Sequence, residues 1–162
     1  MHIWNLSQKG YNLIIEGTLR NPDVPIKTCY QLKEKGYNPD LVVVACDAET
    51  SWWATVEGAY TQREMGLPGR LVPLDIFDYT VNHISQNLNI IQEEKCFNSI
   101  KILDRTGKVL FPNGLTPIID IMNKVLNLAN WNEKLPDIKR NYIEIKIDFM
   151  KNELNNMSLE ES

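Results

Sequence analysis

The chain has 162 residues, 43% hydrophobic and 23% charged, with a formal net charge of −4, which suits one globular domain with a sizeable core. The acidic balance argues against nonspecific binding to nucleic acid or to an anionic membrane, and no apolar run approaches the ~18–20 residues that a membrane span needs. Cys29, Cys46 and Cys96 are odd in number and far apart, and "MHIWNLSQKG" has no long apolar run of a secretory leader. This excludes a CxxC metal or redox motif and points to a reducing compartment, the cytoplasm.

About one helical turn, residues 2–9, precedes "NLIIEG" (12–17). That short apolar run ending at glycine predicts a buried parallel strand, which needs neighbours on both edges. Asn21 is expected to N-cap a helix with Pro22 in its first position, where the missing N–H costs nothing, and Gly36 to stop it. "DLVVVACD" (40–47) is the clearest strand, Val-rich and apolar on both faces. Helical spacing runs from Glu49 to about Gly66, "GLPGRLVP" (66–73) is a loop, and a second helix runs from Leu74 to about Glu93. Its inward residues are expected to be Ile76, Phe77, Val81, Ile84 and Leu88. "NSIKILDRTGKVLF" (98–111) alternates, turns over Asp104–Gly107 and alternates again, as a strand and its hairpin partner do. Two helices are expected after it, from about Thr116 to Leu128 and from Pro136 to Leu154. "NNMSLEES" reads as a polar, frayed tail. Without a repeat or linker, residues 1–154 make a single domain and 155–162 a tail.

Strands alternating with helices predict an α/β fold with a mostly parallel sheet, which binds ligands beyond the carboxyl ends of its strands. Glu16, Thr18 and Arg20 fall there, and Asp47 follows the second strand. Arg20 offers a planar fork that suits a diphosphate, and Thr18 and Thr28 offer hydroxyls. Blander roles compete. Glu16 could be a solvated strand end, Arg20 a surface pair with Asp23 worth ~0–1 kcal/mol, Thr28 an exposed helical residue and Arg70 a solvated loop residue. Trp52 and Trp53 read as packing, and His2 and His83 lack partners at metal-ligand spacing. No GxxxxGKS/T and no GxGxxG occurs.

"IIEGTLRNPDVPIKT" resembles the "hIEGTxR…DVP" segment of the zeta toxin family of UDP-N-acetylglucosamine kinases. The similarity continues through "LKEKGYNPDLVVVACD", "SWWATVE" and "PGRLVPLDIFD" to "IKILDRTGKVLF", over roughly residues 5–111. The resemblance implies a partial P-loop-kinase-like three-layer fold followed by C-terminal helices, and a toxin of a toxin–antitoxin pair. It implies ATP and magnesium as cofactors, and UDP-N-acetylglucosamine and an antitoxin protein as partners. Glu16 matches the acidic residue on the metal and phosphate side, Thr18, Arg20 and Thr28 match positions that contact the UDP-sugar, and Arg70 matches an arginine over the ATP phosphates. The family's Walker A loop and catalytic aspartate lie upstream of the matched stretch, so the chain is expected to be truncated at its amino end and inactive alone. A second family arginine falls at Gly58, with Arg63 more than a helical turn away. The alternatives are a non-catalytic UDP-sugar or antitoxin-binding remnant and one half of a split kinase.

Overall fold

The computed structural model describes residues 2–160, with side chains described over 5–153. The elements run α1 (His2–Gln8), α2 (Asp23–Lys33), β1 (Asp40–Val44), α3 (Ala48–Glu64), α4 (Leu74–Glu94), β2 (Ser99–Leu103), β3 (Val109–Phe111), α5 (Ile118–Leu126) and α6 (Leu128–Glu160). They divide into two compact units. The first comprises residues 1–47 and 79–126, the second residues 48–78 and 127–162.

The first unit contains the sheet, in the order β1-β2-β3. β1 and β2 are parallel, with Asp40 opposite Ser99 and Val44 opposite Leu103. β3 returns antiparallel, placing Phe111 opposite Ile102. The hairpin turn forms because Asp104 Oδ1 accepts the Thr106 N–H at 2.8 Å, the Thr106 hydroxyl at 2.6 Å and the Lys108 N–H at 3.0 Å, an Asx-type turn. At the other end of β1, the Asp40 carboxylate accepts from the Ser99 hydroxyl and Asn98, which hold it below its ordinary pKa. The core is built from Cys29, Val43, Leu88, Ile91, Ile102 and Ile118, all buried. α2 ends as expected at a glycine. Gly36 adopts φ +83°, and the Tyr37 N–H reaches back to the Leu32 carbonyl at 3.1 Å.

The expected strand over residues 12–17 is not formed. Residues 11–19 carry no regular structure, and Ile14 is 96% exposed. A strand is held by a ladder on at least one edge, and among the described residues 11–20 make no backbone–backbone hydrogen bond. Side chains from elsewhere take up some of their carbonyls instead. The Tyr37 hydroxyl donates to Tyr11 O at 2.7 Å, and Asn87 Nδ2 donates to the Leu19 and Arg20 carbonyls. β1, expected to be apolar and buried on both faces, is covered on one face only: Val43 is buried, while Val42 and Val44, which point to the other face, are exposed.

The second unit packs α3 with α6. Trp52 and Trp131 are fully buried, each edge-on or tilted against Phe77 with ring centres 5.3 Å apart. The Trp131 indole N–H donates to Asp78 Oδ1 at 2.7 Å. Glu49 near the start of α3 binds α6 through Lys134 at 2.7 Å and Asn130 at 3.0 Å. Three helical expectations are corrected here. Ile76 is exposed and only Phe77 of that pair points inward. α6 begins at Leu128, not at Pro136, and runs through that proline. The break falls at Asn127, in left-handed geometry with φ 50°, a backbone that asparagine tolerates. Pro136 removes one helical donor, a cost of ~3 kcal/mol in an isolated helix, which the burial of Trp131 before it and Ile138 after it offsets. α6 also continues through Glu160 into the expected tail, whose last residues, Glu161 and Ser162, lie outside the described residues.

Candidate functional site

The segment from Glu16 to Arg20 joins the irregular residues after α1 to the start of α2. Glu16, Thr18 and Arg20 are all exposed. Among the described residues no acidic side chain forms an ion pair with Arg20, Asp23 included, so its five donors remain available. Leu19 between them adopts φ 55°, a left-handed conformation unusual for a residue with a Cβ. The segment is tied down on its carboxyl side. The Asp23 N–H donates to Asn21 Oδ1 at 2.9 Å, and Pro22 has helical backbone angles, φ −68° and ψ −25°, so Asn21 and Pro22 start α2 as expected. Asn87 of α4 donates from Nδ2 to Leu19 O and Arg20 O, both at 2.9 Å.

Asn87 was not reached by the sequence reading, yet a signal was there. Ile84, Asn87, Leu88 and Ile91 follow the i, i+3, i+4, i+7 stripe of an amphipathic helix. An amide in that stripe, only 8% exposed, must have hydrogen-bond partners inside the fold.

Thr28 lies on α2 in the same unit, but its hydroxyl proton is spent locally, donated to Val24 O at 2.9 Å. That leaves it acceptor capacity only. α2 is fixed against the end of α4 on one side: the buried Cys29 thiol meets Cys96, and the Tyr30 hydroxyl donates to Glu94 at 2.6 Å. Burial, and then the hydrogen bond to Cys96, pushes Cys29 up to about 12. The hydrogen bond to Glu94 likewise raises Tyr30 to about 12.

Arg70 belongs to the second unit. Its side chain is exposed, and its N–H donates to Gln62 Oε1 at 3.1 Å. Gly69 brings this loop onto α3: an added Cβ would lie 2.3 Å from Ala59 O and 2.5 Å from Arg63 Cγ. Arg63 is committed to packing, with its guanidinium 3.3 Å from Asp148 and 4.2 Å from the centre of the Phe149 ring. Gly58 is exposed on α3, with open space around its Cβ position. Trp52 is core and Trp53 is 37% exposed, while the His83 Nδ1–H donates to the Tyr79 backbone carbonyl at 2.6 Å. Among the described residues no three Asp, Glu, His or Cys side chains gather to hold a metal, and no helix is long and apolar enough to cross a membrane.

Taken from its parts, the first unit presents a carboxylate, a hydroxyl and an unpaired guanidinium on one short, side-chain-anchored loop. The chain has known relatives. The chain is 36% identical over 118 residues to toxin zeta of Enterococcus hirae, covering 72% of this chain and 41% of that protein. It is 33% identical over 135 residues to toxin PezT of Streptococcus pneumoniae serotype 4, covering 81% and 53%. The chain therefore spans about half the length of the curated relatives it matches. A solved structure from the PezAT chromosomal toxin–antitoxin system of Streptococcus pneumoniae superposes with a TM-score of 0.63 at 27% identity, over 89% of this chain and 59% of that one. The profile described as Zeta toxin matches residues 2–116, and the chain belongs to the zeta toxin family.

Proposed function

We propose that this chain supplies the sugar-nucleotide side of a kinase acting on UDP-N-acetylglucosamine, the toxin of a toxin–antitoxin pair, and does not turn over alone. The observation that carries the reading is the exposed, unpaired Arg20 within the family-matching stretch, on the same loop as Thr18 and Glu16. A guanidinium on a diphosphate makes two parallel charge-assisted hydrogen bonds, and the Thr18 hydroxyl adds a neutral one. Glu16 stands on the phosphate and metal side. Thr28 contributes as an acceptor from α2, and Arg70 is the candidate for the nucleotide phosphates.

Magnesium–ATP does not fit these residues by themselves. Glu16 is a lone carboxylate, and among the described residues no metal-holding group gathers. The reading therefore stops at the sugar nucleotide. Gly58, where the family carries an arginine, favours a chain that binds without catalysing. Phosphoryl transfer is positioning and electrostatic stabilisation, and one missing arginine of finger type costs ~10³–10⁵-fold. An antitoxin partner is proposed from the toxin–antitoxin system to which the structural neighbour belongs.

The test is to incubate the purified chain with ATP, magnesium and UDP-N-acetylglucosamine and to look for the 3′-phosphate by mass spectrometry. No product from the chain alone is expected. Turnover by it, free of contaminating kinase, would overturn the non-catalytic part of the reading. Turnover only after addition of an amino-terminal fragment carrying a Walker loop would establish a split enzyme.

A further inference from the structure

We infer that Asn87 is the positioning residue of the sugar-nucleotide loop: its side-chain amide clamps the Leu19 and Arg20 carbonyls and so fixes where Thr18 and Arg20 are presented. The inference rests on the reading of Arg20 as a diphosphate contact. Four observations converge on it. Both carbonyls lie 2.9 Å from Nδ2. Since both are acceptors, only the amide NH₂ can face them, and its two hydrogens are both used. The side chain occupies the apolar stripe of α4 at 8% exposure, a place where a leucine would otherwise pack. Leu19, whose carbonyl is clamped, is held at φ 55°, a conformation disfavoured for residues with a Cβ. Residues 11–20 make no backbone–backbone hydrogen bond of their own among the described residues, so the amide supplies what a strand ladder would. A loop held this way does not have to be ordered when the ligand arrives, which preserves affinity.

The experiment uses the full chain with Asn87→Asp and Asn87→Leu, both close in size to asparagine and both without the donor. The first turns a carboxylate toward the two carbonyls; the second keeps the stripe apolar and protects the fold if the first unfolds. Backbone order parameters of residues 18–21 by NMR relaxation, without ligand, are expected to fall from the rigid range, about 0.85, toward 0.6 or below. Those of β2 and α5 should not change. Calorimetry with UDP-N-acetylglucosamine should show affinity reduced at least tenfold. Adding Leu19→Gly to either variant should recover part of the loss, because glycine adopts the left-handed backbone without a clamp; a residue that only fills the core would show no such recovery. Unchanged order at 18–21 in both variants overturns the inference, as does an affinity loss that Leu19→Gly leaves untouched. Local loosening with no sugar-nucleotide binding by the parent chain leaves the clamp standing and overturns the ligand reading instead.

Discussion

Replacing Ile14 with alanine should leave the folding free energy unchanged to within ~0.5 kcal/mol, whereas Ile102→Ala should cost ~2–5 kcal/mol. Both residues sit in apolar runs that read as strands, and they differ in what surrounds them. Ile14 is 96% exposed and Ile102 is 0% exposed. Truncating Ile14 removes apolar atoms that already face water, so neither a transfer loss nor a cavity arises. Truncating Ile102 empties a site in β2, the strand paired on both edges. Against a typical domain stability of ~5–15 kcal/mol, the second change is a large fraction of the total and the first is none of it. Urea unfolding followed by far-ultraviolet circular dichroism, at two protein concentrations, gives both numbers. A loss above ~2 kcal/mol for Ile14→Ala would refute the reasoning, since the residue would then have to be buried.

Gly58 and Gly69 of the second unit should respond in opposite directions in thermal melts. Gly58→Ala should gain up to ~1 kcal/mol, because the position is mid-helix with open space around it. Gly69→Ala should lose ~1–3 kcal/mol, because its Cβ would fall 2.3 Å from Ala59 O. The hydrogen bond from Lys134, then that from Asn130, holds Glu49 below its ordinary value of 4.5. A depressed carboxylate stabilises fully above that value and loses its contribution as pH falls below it and through the lower folded-state pKa. The stability difference between the parent and Glu49→Gln should therefore be constant above about pH 5 and shrink on acidification. With Lys134 48% exposed, it should not exceed ~1 kcal/mol. Alkylation by iodoacetamide at pH 8, read by mass spectrometry, should modify the half-buried Cys46 first and leave Cys29, raised to about 12 and buried, unmodified in the folded chain.

Where a signal was local, the sequence displayed it. The Asp104–Gly107 turn, the Gly36 stop and the Asn21–Pro22 start depend on residues within a few positions of one another, and all three are found. The Val-rich β1 and the 98–111 hairpin follow from patterning alone. The run 12–17 failed because hydrophobicity states what a segment would gain by burial, not whether an edge is there to pair with it. Pro136 misled for the related reason that propensity yields to packing: buried side chains on either side of it outweigh one lost helical donor. Likewise Glu16, Thr18 and Arg20 could be picked out from one contiguous stretch. Asn87 is separated from Arg20 by |i−j| = 67, and only its place on an apolar stripe marked it. That Thr28 spends its proton on Val24 follows from helix geometry, which a motif match does not weigh.

The central claim is that the loop from Glu16 to Arg20 binds a sugar nucleotide through Arg20, and calorimetric titration with UDP-N-acetylglucosamine tests it most directly. Binding by the parent chain is predicted, weakened roughly ten- to a hundredfold in Arg20→Ala, the ~1.5–3 kcal/mol of a lost charge-assisted contact. Equal affinities for the two proteins would remove Arg20 from the site, and no heat from either would contradict the claim outright.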